Sequence, residues 1–524
     1  MRVEDDNPNP TTGTIQCNCS PKPTPYNTNA SGAVHKLIPI AGKRISGSLT
    51  PAFRLVSTSA TQSLNLPPNQ IPANAPIRAE TKQRPDCQGA KPADESQTYE
   101  KARIDRVFNH RRPDRHPIAV VEATQESHVV DTVRLAIERQ CRVSVRSGGH
   151  SWAAWSVRDE AILLDLGGLK KMLYDEETGV ASVSPSMTGR ELNRFLATKG
   201  RMFAGGHCPD VGLGGFLLQG GMGWNCKNWG WACESVVGID VVTATGDILH
   251  CSKDEHSDLF WAARGAGPGF PAIVTTFHLQ TREAITASYD PDTEIVCLSL
   301  YPPDSTPTSP LTIMILLVTF KHTPSAALAA LQPAHSTHPP GTIHSWFNRP
   351  DSLENQYASQ DAANPLRHRY CVDNAYISND ADVAAVLEPA FTSLPTRKSF
   401  SLWYSMAPCS RRKLPDMALS MQSDHYFATY VVWEDEKDDV PIMNWVQDVM
   451  RRVEKSSEGA YLGDADFQIR RTRFWGEEQG RRLGEVRRKW DEEGRVCGYL
   501  DAGDGSGVEG LANVHEWEQK DAKM

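Results

Sequence analysis

The chain has 524 residues, of which 40% are apolar and 23% charged. No window approaches about 18 consecutive apolar residues, so we expect no membrane-spanning helix. A formal net charge of −9 argues against a general binder of nucleic acid. The twelve cysteines show no spacing typical of a disulfide framework or a metal site, and the N-terminus lacks the apolar stretch of a signal peptide. We therefore expect a soluble, cytoplasmic protein without a metal centre.

Residues 1–97 are rich in Pro, Asn, Thr and Ser and have no sustained apolar period, which predicts a disordered or loosely packed segment. After this segment, a strand, a helix over Glu126–Gln140 and a second strand form a predicted βαβ unit. Strands are predicted at Ile118–Val121, Arg142–Arg146, Ala161–Leu166, Ala181–Ser184, Val236–Ala244, Asp247–His250 and Ala272–Thr281. Thr188 and Glu191 form a capping-box pattern that opens a further helix.

From about residue 283 the composition changes, because glycine almost vanishes and longer strands are predicted. These strands are Thr312–Phe320, Phe400–Met406 and Tyr426–Trp433, with helices at Asp382–Leu394 and Ile442–Glu454. Strands with interspersed helices favour an α+β layer, which we assign to a second domain over 283–460. Residues 461–502 are expected to return to the first domain, 98–282, and residues 503–524 to form a disordered tail.

The glycines are concentrated in one region, since twenty-one of the 38 lie between Gly148 and Gly269. Only glycine combines easy access to positive φ with the absence of a Cβ, so this crowding predicts backbone that turns tightly or approaches a ligand closely. The glycines form three stretches, which lie at 146–152, 205–224 and 264–270. Together they indicate a long, flat ligand threaded between backbone segments.

The first stretch follows a predicted strand, and its consecutive amides can form a nest for a diphosphate. A tight turn with an exposed histidine would leave the same pattern. The second stretch lacks the preceding strand that a dinucleotide-binding Rossmann motif requires. The sequence has no phosphate loop of the G-x-x-x-x-G-K-[ST] type, no G-x-S-x-G elbow and no H-E-x-x-H motif. These absences exclude the commonest classes of nucleotidase, hydrolase and metalloprotease.

Residues from Tyr99 to Arg282 resemble the FAD-binding domain of the vanillyl-alcohol oxidase superfamily, the PCMH-type FAD fold, and within it the berberine-bridge-enzyme-like oxidases. The resemblance rests on Arg146-Ser-Gly-Gly-His150, on Cys208-Pro-Asp-Val-Gly-Leu-Gly-Gly215 with Gly220-Gly-Met-Gly223, and on Asp258-Leu-Phe-Trp-Ala-Ala-Arg-Gly265. It implies an α+β protein with an FAD-binding domain of two α/β subdomains. The α+β substrate domain would place an antiparallel sheet over the flavin.

The resemblance further implies that FAD is the cofactor and that His150 is bonded covalently to the 8α-methyl group of the flavin. Cys208 stands where this subgroup forms a second bond, to C6 of the ring. A non-covalent contact at His150 and a free thiol at Cys208 are the alternatives. The implied cofactor-binding residues are Arg146, Ser147, Gly148, Gly149, His150, Ser151, Cys208, Val211, Gly212, Gly214, Gly215, Gly220, Gly221, Gly223 and Ile239.

The sequence departs from the family pattern near its C-terminus. Family members usually show an aromatic residue, a spacer and an Asn close to the flavin, whereas Tyr461-Leu-Gly463-Asp464 has glycine at the Asn position. The closing motif, Trp490-Asp-Glu-Glu-Gly-Arg-Val496, keeps only the aromatic residue and the Asp.

The catalytic base is sought on the predicted strands of the second domain, where alternate residues share a face. A tyrosine or histidine facing the flavin could remove a proton from the substrate. The candidates are Tyr404, Tyr426, Tyr430 and His425, with ordinary packed aromatics as the alternative.

These expectations together describe an FAD-linked oxidase. It would take a hydride from an alcohol, a sugar or an intermediate of secondary metabolism, and O₂ would reoxidise the flavin to give hydrogen peroxide. A flavin dehydrogenase, an oxidative cyclase or isomerase, and a flavin-binding protein without catalysis remain alternatives. A small-molecule substrate and O₂ are the expected partners, with no nucleic acid, membrane or protein partner inferred.

Overall fold

The computed structural model describes residues 54–57, 93–283, 293–302, 306, 309–321, 323–337, 342–470 and 472–498. The predicted disordered segment over 1–97 therefore lies mostly outside the described residues, and so does the tail over 503–524. Within the segment, Arg54–Ser57 forms a strand, and a helix begins at Ala93. Among the helices of the described ranges, none has the length and apolar character needed to span a bilayer.

The first sheet has four strands in the order β1-β2-β4-β3. They are β1 (Arg54–Ser57), β2 (Ala119–Glu122), β3 (Arg142–Arg146) and β4 (Ala161–Asp165). Strands β2 and β3 run parallel to β4, and the predicted helix connects them as α2 (Glu126–Arg139), after the N-terminal helix α1 (Ala93–Ile104). The apolar stripe of α2 packs on this sheet through Val129 and Val133, which are fully buried.

The second sheet has five strands in the order β5-β6-β10-β8-β9, and all of its pairings are antiparallel. Its strands are β5 (Met172–Asp175), β6 (Val180–Val183), β8 (Val236–Thr243), β9 (Ile248–Cys251) and β10 (Ala272–Gln280). The short strands β7 (Arg201–Met202) and β11 (Arg282–Glu283) pair separately. The helices of this part are α3 (Gly189–Ala197), α4 (Leu213–Leu218), α5 (Cys226–Trp229) and α6 (Ser257–Ala262). The capping box predicted for α3 is present.

The third sheet has six antiparallel strands in the order β13-β12-β15-β16-β14-β17. They are β12 (Thr293–Leu300), β13 (Thr312–Thr319), β14 (Arg369–Ile377), β15 (Phe400–Ser405), β16 (His425–Trp433) and β17 (Ser457–Gly459). Helices α9 (Val383–Thr392) and α10 (Asp439–Val453) cover one face of this sheet. Helices α7 (Pro324–Ser336) and α8 (Leu353–Ala363) lie between β13 and β14 in the chain.

The C-terminal segment packs against the first half of the chain. Helix α11 (Glu477–Trp490) contributes Leu483 and Val486 to the core beneath the five-stranded sheet. Beyond it, the backbone of Val143 in β3 accepts a hydrogen bond from Cys497 N and donates one to Arg495 O, each 2.8 Å long. The core of the N-terminal half therefore includes residues from the far end of the sequence.

Candidate active site

A cavity of about 1680 Å³ lies between the glycine-rich loops and the six-stranded sheet. This volume exceeds the ~300–1,000 Å³ of an ordinary ligand pocket, so it has room for a large cofactor and a second molecule. One wall is built from backbone, because the loops of residues 145–152, 206–219 and 267–274 line it. The opposite wall is built from side chains of β12, β13, β15 and β16.

Most of the predicted cofactor-binding residues line the backbone wall. They are Arg146, Ser147, Gly148, Gly149, His150, Ser151, Cys208, Val211, Gly212, Gly214 and Gly215. The structure does not place Gly220, Gly221, Gly223 or Ile239 on the cavity wall. The three glycines belong to the turn that carries Met222 and Trp224 to the cavity, and Ile239 is fully buried in the core beneath the five-stranded sheet.

Gly148 and Gly212 show why the loops need glycine. A Cβ on Gly148 would lie 2.5 Å from Gly212 N, and a Cβ on Gly212 would lie 2.6 Å from Gly148 Cα. The two loop backbones therefore touch, which no other residue type permits. Their contact brings the first and second glycine-rich stretches together along one side of the cavity.

His150 stands at the end of the first loop, half-buried on the cavity wall. Its ring stacks on Phe108, with ring centroids 4.5 Å apart and planes 17° apart. Among the described residues, none forms a hydrogen bond with its ring nitrogens. The loss of solvation lowers the pKa of His150 to about 4, so the imidazole is neutral at physiological pH and its nitrogen lone pair is available.

Cys208 is half-buried on the same wall, with Asn364 Nδ2 at 3.8 Å from its Sγ. Burial raises the pKa of Cys208 to about 12, and the nearby carboxylates of Asp464, Asp361 and Asp210 act in the same direction. The thiol is therefore protonated at neutral pH, which makes it a weak nucleophile.

Arg146 forms hydrogen bonds that connect separate parts of the N-terminal half. Its guanidinium donates to Asp165 Oδ2 at 2.7 and 2.9 Å and to the carbonyl of Arg103 at 2.6 Å. Asp165 also pairs with Arg106, which in turn binds the carbonyl of Ser147. These contacts fix the first glycine-rich loop at the end of β3.

Tyr404, Tyr426 and Tyr430 all line the side-chain wall. The Tyr426 hydroxyl donates to Asp464 Oδ2 at 2.6 Å, and the Tyr430 ring stacks on Phe400 at 4.7 Å. The Tyr404 hydroxyl is buried without a hydrogen bond in the described part of the chain. The pKa of each of the three tyrosines is raised by burial, so each holds its proton at neutral pH.

The expectation that His425 faces the cavity is corrected by the structure. His425 shares a face of β16 with Phe427 and Val431, which pack under α9 and α10. Its Nδ1 accepts a hydrogen bond of 3.2 Å from Trp403 Nε1 on that same side. The alternation of side chains along a strand turns His425 away from the site.

Sequence reasoning missed Asp464, which lines the cavity directly after the apparently degraded motif at Gly463. Burial raises the pKa of this carboxyl, although hydrogen bonding to Tyr426 and Tyr430 and the nearby His207 act against the rise. An acid with a raised pKa in a cavity is typical of proton-transfer sites. The sequence signal was its position beside Tyr461, whose backbone is held by Asn374 through hydrogen bonds of 2.7 Å.

Sequence reasoning also missed the pair formed by His207 and Glu294 across the cavity. His207 Nε2 lies 2.7 Å from Glu294 Oε1, and Asn225 N donates to Glu294 Oε2 at 2.6 Å. Burial alone would lower the pKa of His207, but the carboxylate of Glu294 outweighs it and the pKa is raised. The pair thus connects the loop that carries Cys208 to strand β12.

The arrangement fits FAD. The touching glycine loops line one side of the cavity with backbone rather than side chains, as the close approach of a dinucleotide requires, and the neutral ring of His150 lines the same space. Opposite them, the Tyr426–Asp464 pair offers a proton acceptor. The residues that would hold the cofactor and those that would act on a substrate therefore face each other across one cavity.

Comparison with known proteins supports the same cofactor. A family model described as an FAD binding domain matches residues 117–252. The FAD-linked oxidoreductase penO of Penicillium crustosum is 38% identical over 431 residues, covering 78% of this chain and 95% of the relative. The FAD-linked oxidoreductase nodO of Hypoxylon pulicicidum is 36% identical over 430 residues, covering 77% of this chain and 95% of the relative.

Among solved structures, BBE-like 1 of Physcomitrella patens superimposes with a TM-score of 0.64 at 17% identity, over 76% of this chain and 93% of that one. Its likeness confirms the predicted PCMH-type α+β fold, with an antiparallel sheet as the wall that faces the glycine loops. With penO and nodO matched over nearly their whole lengths, the chain belongs to the family of FAD-linked oxidoreductases that includes them.

Proposed function

We propose that this oxidoreductase is an oxidase that holds FAD covalently through His150 and takes a hydride from a bulky, largely apolar alcohol or secondary-metabolite intermediate. The observation that carries the proposal is the cavity itself, with His150 on its backbone wall and the Tyr426–Asp464 pair opposite. FAD held there would supply the hydride acceptor, and O₂ would be the final electron acceptor, giving hydrogen peroxide.

The lining of the side-chain wall supports an apolar substrate. Its strands β12 and β13 present Val296, Leu298, Leu300, Met314, Leu316 and Val318 to the cavity. A sugar would lose the hydrogen bonds of several hydroxyl groups against such a surface, at a cost of about 1–3 kcal/mol each. A ring system with one or two polar groups would bury its apolar area there instead.

Asp464 receives the substrate proton in this proposal. Its raised pKa makes it a stronger base than an ordinary carboxylate, and the 2.6 Å hydrogen bond from Tyr426 holds its position. Tyr430 lines the cavity nearby and provides a hydroxyl through which a proton can pass. The apolar neighbours Phe400 and Leu402 keep bulk water from competing for the proton.

His207 and Glu294 contribute a positioning role. Glu294 is only 2% exposed, and its carboxylate raises the pKa of His207, whose ring contacts Tyr404 and which is next to Cys208 along the cavity wall. An N–H of a histidine held in this way can donate a hydrogen bond to negative charge that develops in the cavity during the reaction.

The covalent attachment is tested by acid precipitation of the purified protein. We expect a yellow protein whose flavin stays with the precipitate, whereas His150→Ala should release any flavin it binds into the supernatant. Cys208→Ala is the matched control, and it should retain the flavin because the Cys208 thiol is protonated. A colourless preparation, or free flavin from the wild type, would contradict the proposal.

The oxidase activity is tested by mixing the purified enzyme with a panel of apolar alcohols and, separately, with oligosaccharides. We expect an apolar alcohol to bleach the flavin anaerobically and to yield hydrogen peroxide on admission of air. Bleaching without peroxide would identify a dehydrogenase, and bleaching by oligosaccharides alone would reverse the substrate assignment.

A further inference from the structure

Three metal-binding side chains lie together on the five-stranded sheet, outside the cavity. Asp240 on β8, His250 on β9 and His278 on β10 bring one ligand atom each to within 4.8 Å of the others. None of the three lines the cavity. They project from the face opposite Ile239 and Phe277, which point into the core.

The distances within the cluster match those between ligands of one metal ion. Asp240 Oδ1 lies 2.8 Å from His250 Nδ1, and Asp240 Oδ2 lies 3.1 Å from His278 Nε2. Ligands bound at about 2.0–2.2 Å from a common ion lie roughly 3 Å apart at adjacent positions. Asp240 therefore already lies at this spacing from each histidine, and the two histidine nitrogens lie within 4.8 Å of each other, so small side-chain movements would bring all three to one ion.

Two neighbours hold the histidine rings in place. Ser182 Oγ lies 2.8 Å from His278 Nδ1, a hydrogen bond that leaves Nε2 facing Asp240. Such a contact to the outer ring nitrogen is typical of histidines that bind metals. The ring of His250 lies over Gly238, where a Cβ would come within 3.1 Å of His250 Cε1, so glycine leaves room for the ring to reach the cluster.

The charges around the cluster have opposing effects. The carboxylate of Asp240 attracts a cation and lies within hydrogen-bonding distance of both histidine rings. Lys171 Nζ lies 3.9 Å from Asp240 Oδ2 and 3.3 Å from Thr276 Oγ1, and its positive charge opposes a bound cation. Its side chain is 42% exposed and can move towards solvent.

We propose that Asp240, His250 and His278 bind one divalent transition-metal ion of the zinc type. Imidazole and carboxylate donors suit zinc, whereas calcium and magnesium favour oxygen donors alone. The remaining coordination position is open to water. The ion would join β9, β8 and β10 across the sheet, so its role is to stabilise these strands.

Zinc titration of the purified full-length protein tests the site, after treatment with EDTA and dialysis. Isothermal titration calorimetry with zinc chloride should give one ion per chain, and zinc should raise the melting temperature. His250→Ala and His278→Ala should each weaken binding by about tenfold or more. Lys171→Met should tighten binding several-fold, because it removes the opposing charge.

His344→Ala, at an exposed histidine outside the cluster, is the matched control and should bind zinc as the wild type does. Because the side chain of His250 is 48% exposed, its replacement leaves the core intact, and losing its hydrogen bond to Asp240 should lower the melting temperature only slightly in the absence of zinc. Wild-type protein that binds no zinc at micromolar concentrations would overturn the proposal. Undiminished binding by the His250→Ala, His278→Ala double variant would overturn it as well.

Discussion

At the scale of single residues, Asp464 combines the two properties that a proton acceptor needs. It faces the cavity, and burial raises the pKa of its carboxyl. We expect Asp464→Asn to slow flavin reduction by about 10²- to 10⁴-fold, since an amide cannot accept the proton. The substrate for this measurement is an alcohol that bleaches the wild-type flavin. Anaerobic stopped-flow absorbance measures this rate.

The rate of flavin reduction should depend on pH in a definite direction. The wild-type rate should fall as the pH decreases through the raised pKa of Asp464, because the protonated acid cannot act as a base. Asp361→Asn is the matched control, since Asp361 also lines the cavity but pairs with Arg190 at 2.8 Å and is half exposed. An Asp464→Asn variant that is reduced as fast as the wild type would assign the proton to another group.

Glu294 raises the pKa of His207, which links this pair to stability as well as to chemistry. The pair stabilises the folded protein fully below the pKa of histidine in the unfolded chain, about 6.5. This stabilisation is lost as the pH rises through the higher pKa that His207 has in the folded protein. We therefore expect Glu294→Gln to lower the melting temperature more at pH 6 than at pH 9. Glu354→Gln, at an exposed partner of Arg194, should change little at either pH. Equal losses at both pH values would argue against a charged His207.

At the scale of elements, the contact between the two glycine loops gives a sharp expectation. Gly212→Ala places a Cβ 2.6 Å from the backbone of Gly148, so the loops must separate and the groove for the cofactor opens. We expect a several-fold loss of bound flavin, measured as the ratio of absorbance at flavin and protein wavelengths. Gly480→Ala, in α11, is the control, because its Cβ meets no atom within 4 Å and the residue does not line the cavity. Equal flavin content in the two variants would show that the loop contact is dispensable.

These loops could be predicted from the sequence because close backbone approach demands one residue type, and that type is visible in the chain. Strand β14 could not be predicted from the sequence. It is buried along nearly its whole length, yet it carries the polar residues Asp373 and Asn374 in its middle. Their partners, Arg470 and Tyr461, lie 97 and 87 residues further along. When those partners are not known, two polar residues inside an apolar stretch predict that the strand ends there.

Only some of the side chains that would act on a substrate could be predicted, because the others depend on contacts between distant parts of the chain. Tyr404, Tyr426 and Tyr430 lie on recognisable strands, so the choice among them depended on which face meets the cavity. His207 and Glu294 are 87 residues apart and become a pair only through the fold. Asp464 has a raised pKa because of burial, a property that no local spacing reveals.

At the scale of the whole molecule, Asn109 connects the two halves. Its amide donates to the carbonyls of Trp152 at 2.6 Å and Tyr370 at 3.0 Å, and its Oδ1 accepts from Tyr370 N and Arg111 N. Asn109→Ala leaves several buried groups without partners, at about 1–3 kcal/mol each. We expect a melting temperature lower by several degrees in calorimetry, whereas Asn355→Ala, at an exposed position on α8, should melt within about a degree of the wild type. Identical melting of both variants would show that the two halves are held by other contacts.

The return of α11 to the N-terminal half has a consequence for biosynthesis. Leu483 and Val486 complete the core beneath the five-stranded sheet, and Trp475 Nε1 donates to the carbonyl of Gly265, 210 residues earlier, at 2.8 Å. A chain emerging from the ribosome therefore exposes an unfinished core in its N-terminal half until the segment over 475–490 has been translated. Structural units usually fold in the order of synthesis, but here the N-terminal half must wait for this later segment. Termination before residue 475 would damage the glycine-loop half of the molecule, although every residue of its sheets and loops had been made.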